Sequence, residues 1–70
     1  MRKFLIVVER AGANFSAYSP DLAGCVAAGS TREETMTNMR TAIKMHVEGL
    51  REDGQAIPDP SAVAEYVDVV

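Results

Sequence analysis

Two side chains of this sequence are the natural candidates for catalysis, and each has a structural explanation. The only histidine, His46, lies at the edge of a predicted apolar helix stripe. General-base catalysis there would require a nucleophile and an orienting group nearby. The only cysteine, Cys25, stands among small apolar residues, where a thiol packs as a small hydrophobe. A reactive thiolate needs a helix N-terminus or a basic neighbour. We therefore predict no catalytic residue.

Carboxylates are the second class of side chain that could do chemistry, by holding a divalent metal ion. Asp21 and the pair Glu33 and Glu34 are candidates, but capping of a turn and of a helix N-terminus explains all three. One cysteine and one histidine exclude a structural zinc site with four Cys and His ligands. The sequence also has no Gly-rich phosphate-binding loop. We predict no metal, no cofactor and no enzymatic activity.

The length of the chain, 70 residues, limits it to one domain spanning residues 1–70. A core of this size supplies only a few kcal/mol, so small chains often add a disulfide, a metal or a partner subunit. A single cysteine excludes an intrachain disulfide. The remaining way to stabilise so small a domain is oligomerisation or binding to a partner protein.

The formal net charge of −3 disfavours nucleic-acid binding by this domain, because such binding rests on neutralising phosphates. It slightly favours a basic partner, although mild acidity also serves only to keep a small protein in solution. Phe4–Val8 is too short an apolar run for a secretion signal or a membrane span. A lone cysteine fits a reducing compartment, so we expect a cytoplasmic protein without membrane contact.

Hydrophobic periodicity predicts five elements in the order βββαβ. Thr31 and Glu34 form a capping box at the start of a predicted helix, and Ser30 and Glu33 offer the same motif one residue earlier. The helix runs to about Asp53, and Gly54 ends it. A Pro-rich connector follows the helix. The four predicted strands span residues 2–9, 14–19, 25–28 and 63–70.

A right-handed crossover places the last strand parallel to the first, which predicts an α+β fold with a four-stranded mixed sheet of order 3-2-1-4. The single helix covers only one face of this sheet. Either Leu5 and Val7 or the opposite set of side chains then stays exposed, and a bare apolar sheet face marks an interaction surface. We expect a homodimer, a higher oligomer or a partner docked on that face.

The ordered set of motifs along the chain resembles the HicB antitoxin family. A strand is followed by Tyr-x-Pro-Asp-Leu-x-Gly-Cys, then by Gly-x-Thr-x-Glu-Glu opening a helix, then by Gly-x-x-Ile-Pro-x-Pro. The match covers nearly the whole chain and involves the residues Tyr18, Pro20, Asp21, Leu22, Gly24, Cys25, Gly29, Thr31, Glu33, Glu34, Gly54, Ile57, Pro58 and Pro60.

The resemblance implies a partly degenerate ribonuclease H-like fold and a role in a type II toxin-antitoxin system. Members of the family typically neutralise HicA, a small toxin that cleaves mRNA, by covering its active surface. The nuclease alternative is weak, because the middle of the first strand is apolar and Glu9 stands only at its end. The second hypothesis is an orphan module of this scaffold that binds another protein or a small ligand and has no cognate toxin.

Two departures from the family pattern bear on function. Ala23 stands where the family usually has Pro, which softens the turn. The sequence ends at Val70, where many members continue into a DNA-binding domain, so we expect no DNA binding by this chain alone. We expect the toxin to meet the surface around Tyr18, Pro20, Asp21 and Leu22. The face that carries Leu5 and Val7 is the expected dimer or partner surface.

Overall fold

A computed structural model describes residues 2–70 of the chain. Three antiparallel strands form one sheet in the spatial order β1-β2-β3, and one long helix packs on one face of it. The helix lies closest to β3, then β2, and barely touches β1. The elements are β1 at Val7–Ala11, β2 at Asn14–Tyr18, β3 at Val26–Gly29 and α1 at Arg32–Glu52.

A two-residue turn joins β1 to β2. Ala11 pairs with Asn14, so Gly12 and Ala13 form the loop between them. Gly12 has a φ of 63°, while Ala13 avoids the left-handed region. Glycine with positive φ at the first loop position is the pattern of a type II′ turn, whose twist matches that of the flanking strands.

The predicted helix is confirmed at both ends. The Thr31 hydroxyl accepts a hydrogen bond from the Glu34 amide at 3.0 Å, and the Glu34 carboxylate accepts one from the Ser30 amide at 2.9 Å. At the other end, Gly54 has a φ of 68° and donates to the Arg51 carbonyl, and Gln55 donates to the Leu50 carbonyl. This pair of bonds is a Schellman cap.

The core lies between the helix and strands β2 and β3. Its fully buried apolar side chains are Ala17, Leu22, Cys25 and Met39. Half-buried side chains pack around them, among them Ile6, Val8, Ala27, Ala42 and Ile43. Cys25 is therefore a buried core residue, as predicted, and desolvation raises the pKa of its thiol.

Helix α1 approaches β3 closely because the facing residue is a glycine. A Cβ at Gly29 would lie 2.7 Å from Thr35 Oγ1 and 2.8 Å from the Thr35 backbone nitrogen. Thr35 is buried, and its hydroxyl donates to the Thr31 carbonyl at 2.7 Å. The Asn38 side-chain amide donates a hydrogen bond to the Ala28 carbonyl at 2.8 Å, which connects the helix to the outer edge of β3.

The predicted fourth strand is wrong. Residues 63–70 pair with no strand in the described chain, so the sheet has three strands and not the order 3-2-1-4. The alternation of apolar residues in this segment is a strand pattern, but a strand needs an aligned neighbour to hydrogen-bond with, and this segment has none here. The first strand is also shorter than the predicted residues 2–9, because pairing with β2 begins only at Val7.

An ion-dipole contact fixes the base of this C-terminal segment. The Asp21 carboxylate, in the β2–β3 loop, accepts hydrogen bonds from the amides of Ser61 at 3.2 Å and Ala62 at 3.1 Å. It also accepts one from the Ser61 hydroxyl at 3.1 Å. The sequence predicts that Asp21 caps amides in its own loop; its hydrogen-bond partners lie instead about forty positions further along the chain.

The close contact at Gly29 predicts opposite effects of one substitution at two glycines. Gly29→Ala should destabilise the fold by about 1–3 kcal/mol, because the new methyl group overlaps the Thr35 backbone. Gly49→Ala, in the helix interior where a Cβ meets nothing within 4 Å, should stabilise it by about 0.5–1 kcal/mol. Urea unfolding followed by circular dichroism measures both, and equal effects at the two sites would contradict the proposed packing.

The Asp21 contact predicts a pH-dependent anchor. The Ala62 amide is the main group that lowers the pKa of Asp21 below its ordinary value of 3.8. Because the folded pKa lies below the unfolded one, the anchor is complete above the ordinary value and is lost as pH falls through the lowered pKa. Asp21→Asn should speed hydrogen exchange at Ser61 and Ala62 near neutral pH and leave the Met39 amide unchanged. Unchanged exchange at Ser61 and Ala62 would contradict the contact.

Candidate interaction surface

The residues that could do chemistry are scattered in the structure. Cys25 is buried in the core, and His46 is half-buried on α1. Glu34 belongs to the helix cap and Asp21 to the C-terminal anchor. Within residues 2–70, no group of three or more His, Cys, Asp or Glu side chains has the geometry to hold a metal ion. The candidate functional sites are therefore surfaces and not a cluster of reactive groups.

The sheet face opposite the helix carries an apolar row that crosses all three strands. Val7 is paired with Tyr18, and Tyr18 is paired with Val26. Directly opposed residues in antiparallel strands share a face, so the three side chains stand next to each other. Tyr18 is 42% exposed and Val26 is 65% exposed. We call this face of the sheet the open face.

A polar row borders the apolar row on the same face. Glu9 is paired with Ser16, and Ser16 with Ala28. The open face therefore combines a strip of aromatic and aliphatic side chains with a margin of small side chains and one charged residue, Glu9. This is the composition of a protein-binding surface, where buried anchors are aromatic or aliphatic and the rim is polar.

The predicted sheet-face residues Leu5 and Val7 are both half-buried and precede or begin β1. The sequence leaves open which set of β1 side chains meets the helix. Phe4, Ile6 and Val8 pack against the core cluster, which places Val7 on the open face. Sequence reasoning did not identify Val26, whose role becomes visible only once the pairing of β2 with β3 is known.

The residues predicted to meet a partner around the β2–β3 loop have different environments. Tyr18 and Pro20 are exposed, so their side chains are available for contact. Asp21 is half-buried, and its carboxylate is already engaged by the C-terminal segment. Leu22 is 1% exposed and belongs to the core, where it supports the loop from below. Only the first two therefore add side-chain surface next to the open face.

The β1 edge of the sheet borders a second feature, a groove of about 410 Å³ between β1 and the first half of the helix. Its walls are Leu5–Val8 on one side and Arg32 and Met36 on the other, with Ala64 and Tyr66 at its rim. The groove exists because α1 packs over β2 and β3 and leaves β1 largely uncovered.

A third surface feature is a groove of about 560 Å³ near the C-terminal half of α1. Its apolar lining consists of Phe4, Ile43, Val47 and Ile57, and two arginines, Arg2 and Arg51, also line it. Arg2 forms an ion pair with Asp59 at 3.5 Å. In the described part of the chain, α1 is too polar to cross a membrane.

A family model for the HicB-like antitoxin of bacterial toxin-antitoxin systems matches residues 4–69 of the chain. The match includes all three strands, the helix and almost all of the C-terminal segment. It therefore extends over the open face, the groove along β1 and, apart from Arg2, the groove near the C-terminal half of α1.

Proteins of a Haemophilus phage and of Thermoplasma acidophilum have similar sequences. A 14.9 kDa protein of Haemophilus phage HP1, from the rep-hol intergenic region, is 34% identical over 62 residues. The alignment covers 89% of this chain but 47% of the phage protein, so the chain spans about half of that relative's length. The UPF0150 protein Ta0767 of Thermoplasma acidophilum is 27% identical over 89% of this chain and 90% of its own length.

A solved structure has a similar fold. A chain of the HicA3 and HicB3 toxin-antitoxin complex superposes with a TM-score of 0.67 and 29% sequence identity. The superposition covers 83% of this chain and 72% of the other. Together with the family match over residues 4–69, this confirms the resemblance seen in the sequence motifs. The chain belongs to the HicB-like antitoxin family.

Proposed function

We propose that this chain is the antitoxin of a type II toxin-antitoxin pair and neutralises an mRNA-cleaving HicA-type toxin by steric binding. The observation that carries the proposal is the apolar row Val7, Tyr18 and Val26 on the sheet face opposite the helix, where Tyr18 and Val26 are largely exposed. A protein of the HicB-like family with such a face has the surface that an occluding inhibitor needs. The structural likeness to a chain of a toxin-antitoxin complex supports the same assignment.

The chemistry of the open face fits a basic protein partner. Tyr18 can fill a pocket of the toxin with its ring while its hydroxyl stays hydrogen-bonded, a combination that makes tyrosine frequent among binding hot spots. Glu9, at the margin of the face, and the net charge of −3 favour approach of a basic, RNA-binding toxin. Inhibition then requires only that the toxin's active surface is covered, with no catalytic contribution from the antitoxin.

The same proposal includes the cellular setting. An antitoxin of this kind acts in the cytoplasm, where the toxin meets mRNA. The acidic balance of the chain argues against contact of this segment with operator DNA. The ribonuclease H-like ancestry implied by the family resemblance belongs to this proposal as well.

A second candidate function is an orphan module that binds a small ligand, and the groove lined by Arg2 and Arg51 favours it. Two arginines in a mostly apolar groove suit a small apolar molecule that carries an anionic group. An assay of toxin neutralisation distinguishes the two candidate functions, because an orphan module would not protect cells from a HicA-type toxin.

The open face predicts different outcomes for two matched substitutions. Val26, 65% exposed on the open face, and Met45, 67% exposed on the helix, are exposed apolar residues of similar accessibility. Val26→Lys should weaken toxin binding at least about tenfold, since it places an unpaired charge in an apolar contact and repels a basic partner. Met45→Lys should bind as the wild type does. Neither change should alter stability by more than about 0.5 kcal/mol.

The measurement is growth of cells that co-express the chain with a HicA-type toxin, together with calorimetric titration of the purified pair. Protection by the wild type and by Met45→Lys, and its loss with Val26→Lys, supports the proposal. Equal protection by both variants would show that the open face does not contact the toxin. Failure of the wild type to protect the cells would contradict the antitoxin function.

A further inference from the structure

The segment after the Asp21 anchor is apolar and has no cover. We define residues 63–70 as the C-terminal tail. Its large apolar side chains, Val63, Tyr66, Val67, Val69 and Val70, are all at least 80% exposed, and Tyr66 reaches 106%. A run of this kind on an eight-residue segment is unusual for a surface, because each such side chain gains about 1.5–3 kcal/mol on burial.

The sheet offers one edge to which such a tail can add. On β3, the Asn38 side chain already donates to the outward carbonyl of Ala28, so that edge is the less available of the two. On β1, alternate residues such as Val8 and Arg10 direct their backbone groups away from β2, because in an antiparallel ladder only every second residue is hydrogen-bonded to a given neighbour. An unpaired edge of this kind accepts another strand.

The groove beside this edge matches the tail in polarity and charge. Its lining is apolar at Leu5–Val8 and Met36 and carries the positive charge of Arg32. The edge strand adds Arg10 and, beside it, Glu9, so the positive charges outnumber the negative one. The tail carries two acidic residues, Glu65 and Asp68, and no basic residue. The apolar, acidic tail is therefore complementary to this groove and edge.

The tail of the same chain does not fill this site. Ala64 and Tyr66 stand at the rim of the groove, but Tyr66 is fully exposed and the tail forms no ladder with β1 in the described chain. Asp21 holds residues 61 and 62 in place, so the tail projects from a fixed base. A projecting strand and an empty edge on one molecule are complementary to the same two features on a second copy.

We propose that two copies of this chain form a dimer by exchanging their C-terminal tails, each tail pairing with the β1 edge of the other copy. The contact is self-complementary, so a two-fold axis generates both halves at once. The dimer completes a fourth strand in each sheet and buries the apolar tail side chains. Tyr18 and Val26 on the open face stay free for the toxin, and Val7, which also lines the groove, is the residue that the two surfaces share.

Disulfide trapping between copies tests the exchange. All variants carry Cys25→Ala, which removes the only native cysteine. One chain carries Val67→Cys, and a second carries a cysteine at one of Leu5, Val7 or Glu9, which scans three positions along the edge. Mixing followed by mild oxidation should give a covalent heterodimer for at least one edge position. Met45→Cys in place of the edge cysteine is the control and should give none.

Placing a tail cysteine and an edge cysteine in the same chain distinguishes exchange of tails between copies from pairing of the tail with its own β1 edge. With Val67→Cys and Val7→Cys together, tail exchange gives covalent dimers on a denaturing gel. A cyclised monomer, together with a light-scattering mass of 7.5 kDa for the wild type at high concentration, would overturn the proposal.

A backbone substitution in the tail provides a test that does not depend on cysteine geometry. Val67→Pro removes an amide donor that forms no ladder bond within one chain, so the monomer fold should survive by circular dichroism. The dimer dissociation constant should rise about tenfold or more, whereas Val67→Thr, which keeps the amide and the β-branch, should change it far less. Equal dissociation constants for the proline and threonine variants would contradict strand pairing by the tail.

Discussion

The close contact of one helix with β3 is the constraint on which the rest of this molecule depends. Gly29 and the small side chains of Ala27 and Cys25 let α1 come near enough for Met39 to be fully buried. Burial of one such side chain contributes about 1.5–3 kcal/mol, a large share for a domain of this size. The Asn38 bond to the Ala28 carbonyl fixes the position of the helix along the strand.

The position of the helix determines which surfaces remain uncovered. A helix centred on β3 and β2 leaves the β1 edge free and leaves the opposite sheet face bare. The groove along β1 follows from this off-centre packing, and the apolar row Val7, Tyr18 and Val26 lies on the face that a single helix cannot cover. The two surfaces are therefore direct consequences of how a chain with one helix builds its core.

The sequence predicts well what local chemistry decides. The helix, its Thr31 cap and its Gly54 stop follow from residues within one turn of each end, and the Gly12 turn follows from the φ that only glycine adopts cheaply. The family motifs are equally local. The burial of Cys25 also follows from its small apolar neighbours.

Features that depend on distant parts of the chain were not predictable in the same way. The alternation in residues 63–70 describes a strand, but whether a strand forms depends on a neighbour that the pattern does not specify. The Asp21 carboxylate and the Ser61 amide are joined only by the fold, and no local signal links them. The same holds for Val26, which joins the surface only through its pairing with Tyr18.

Nuclear magnetic resonance shows directly whether the bare sheet face is the toxin-binding surface. The isotope-labelled chain is titrated with a HicA-type toxin while the backbone amide signals are followed. We expect the signals of Val7, Tyr18 and Val26 to shift or broaden first, while Thr37, Thr41 and Lys44 on the exposed helix surface stay unchanged. Perturbation confined to those helix residues, with the signals of the sheet face unmoved, would contradict toxin binding at the sheet face.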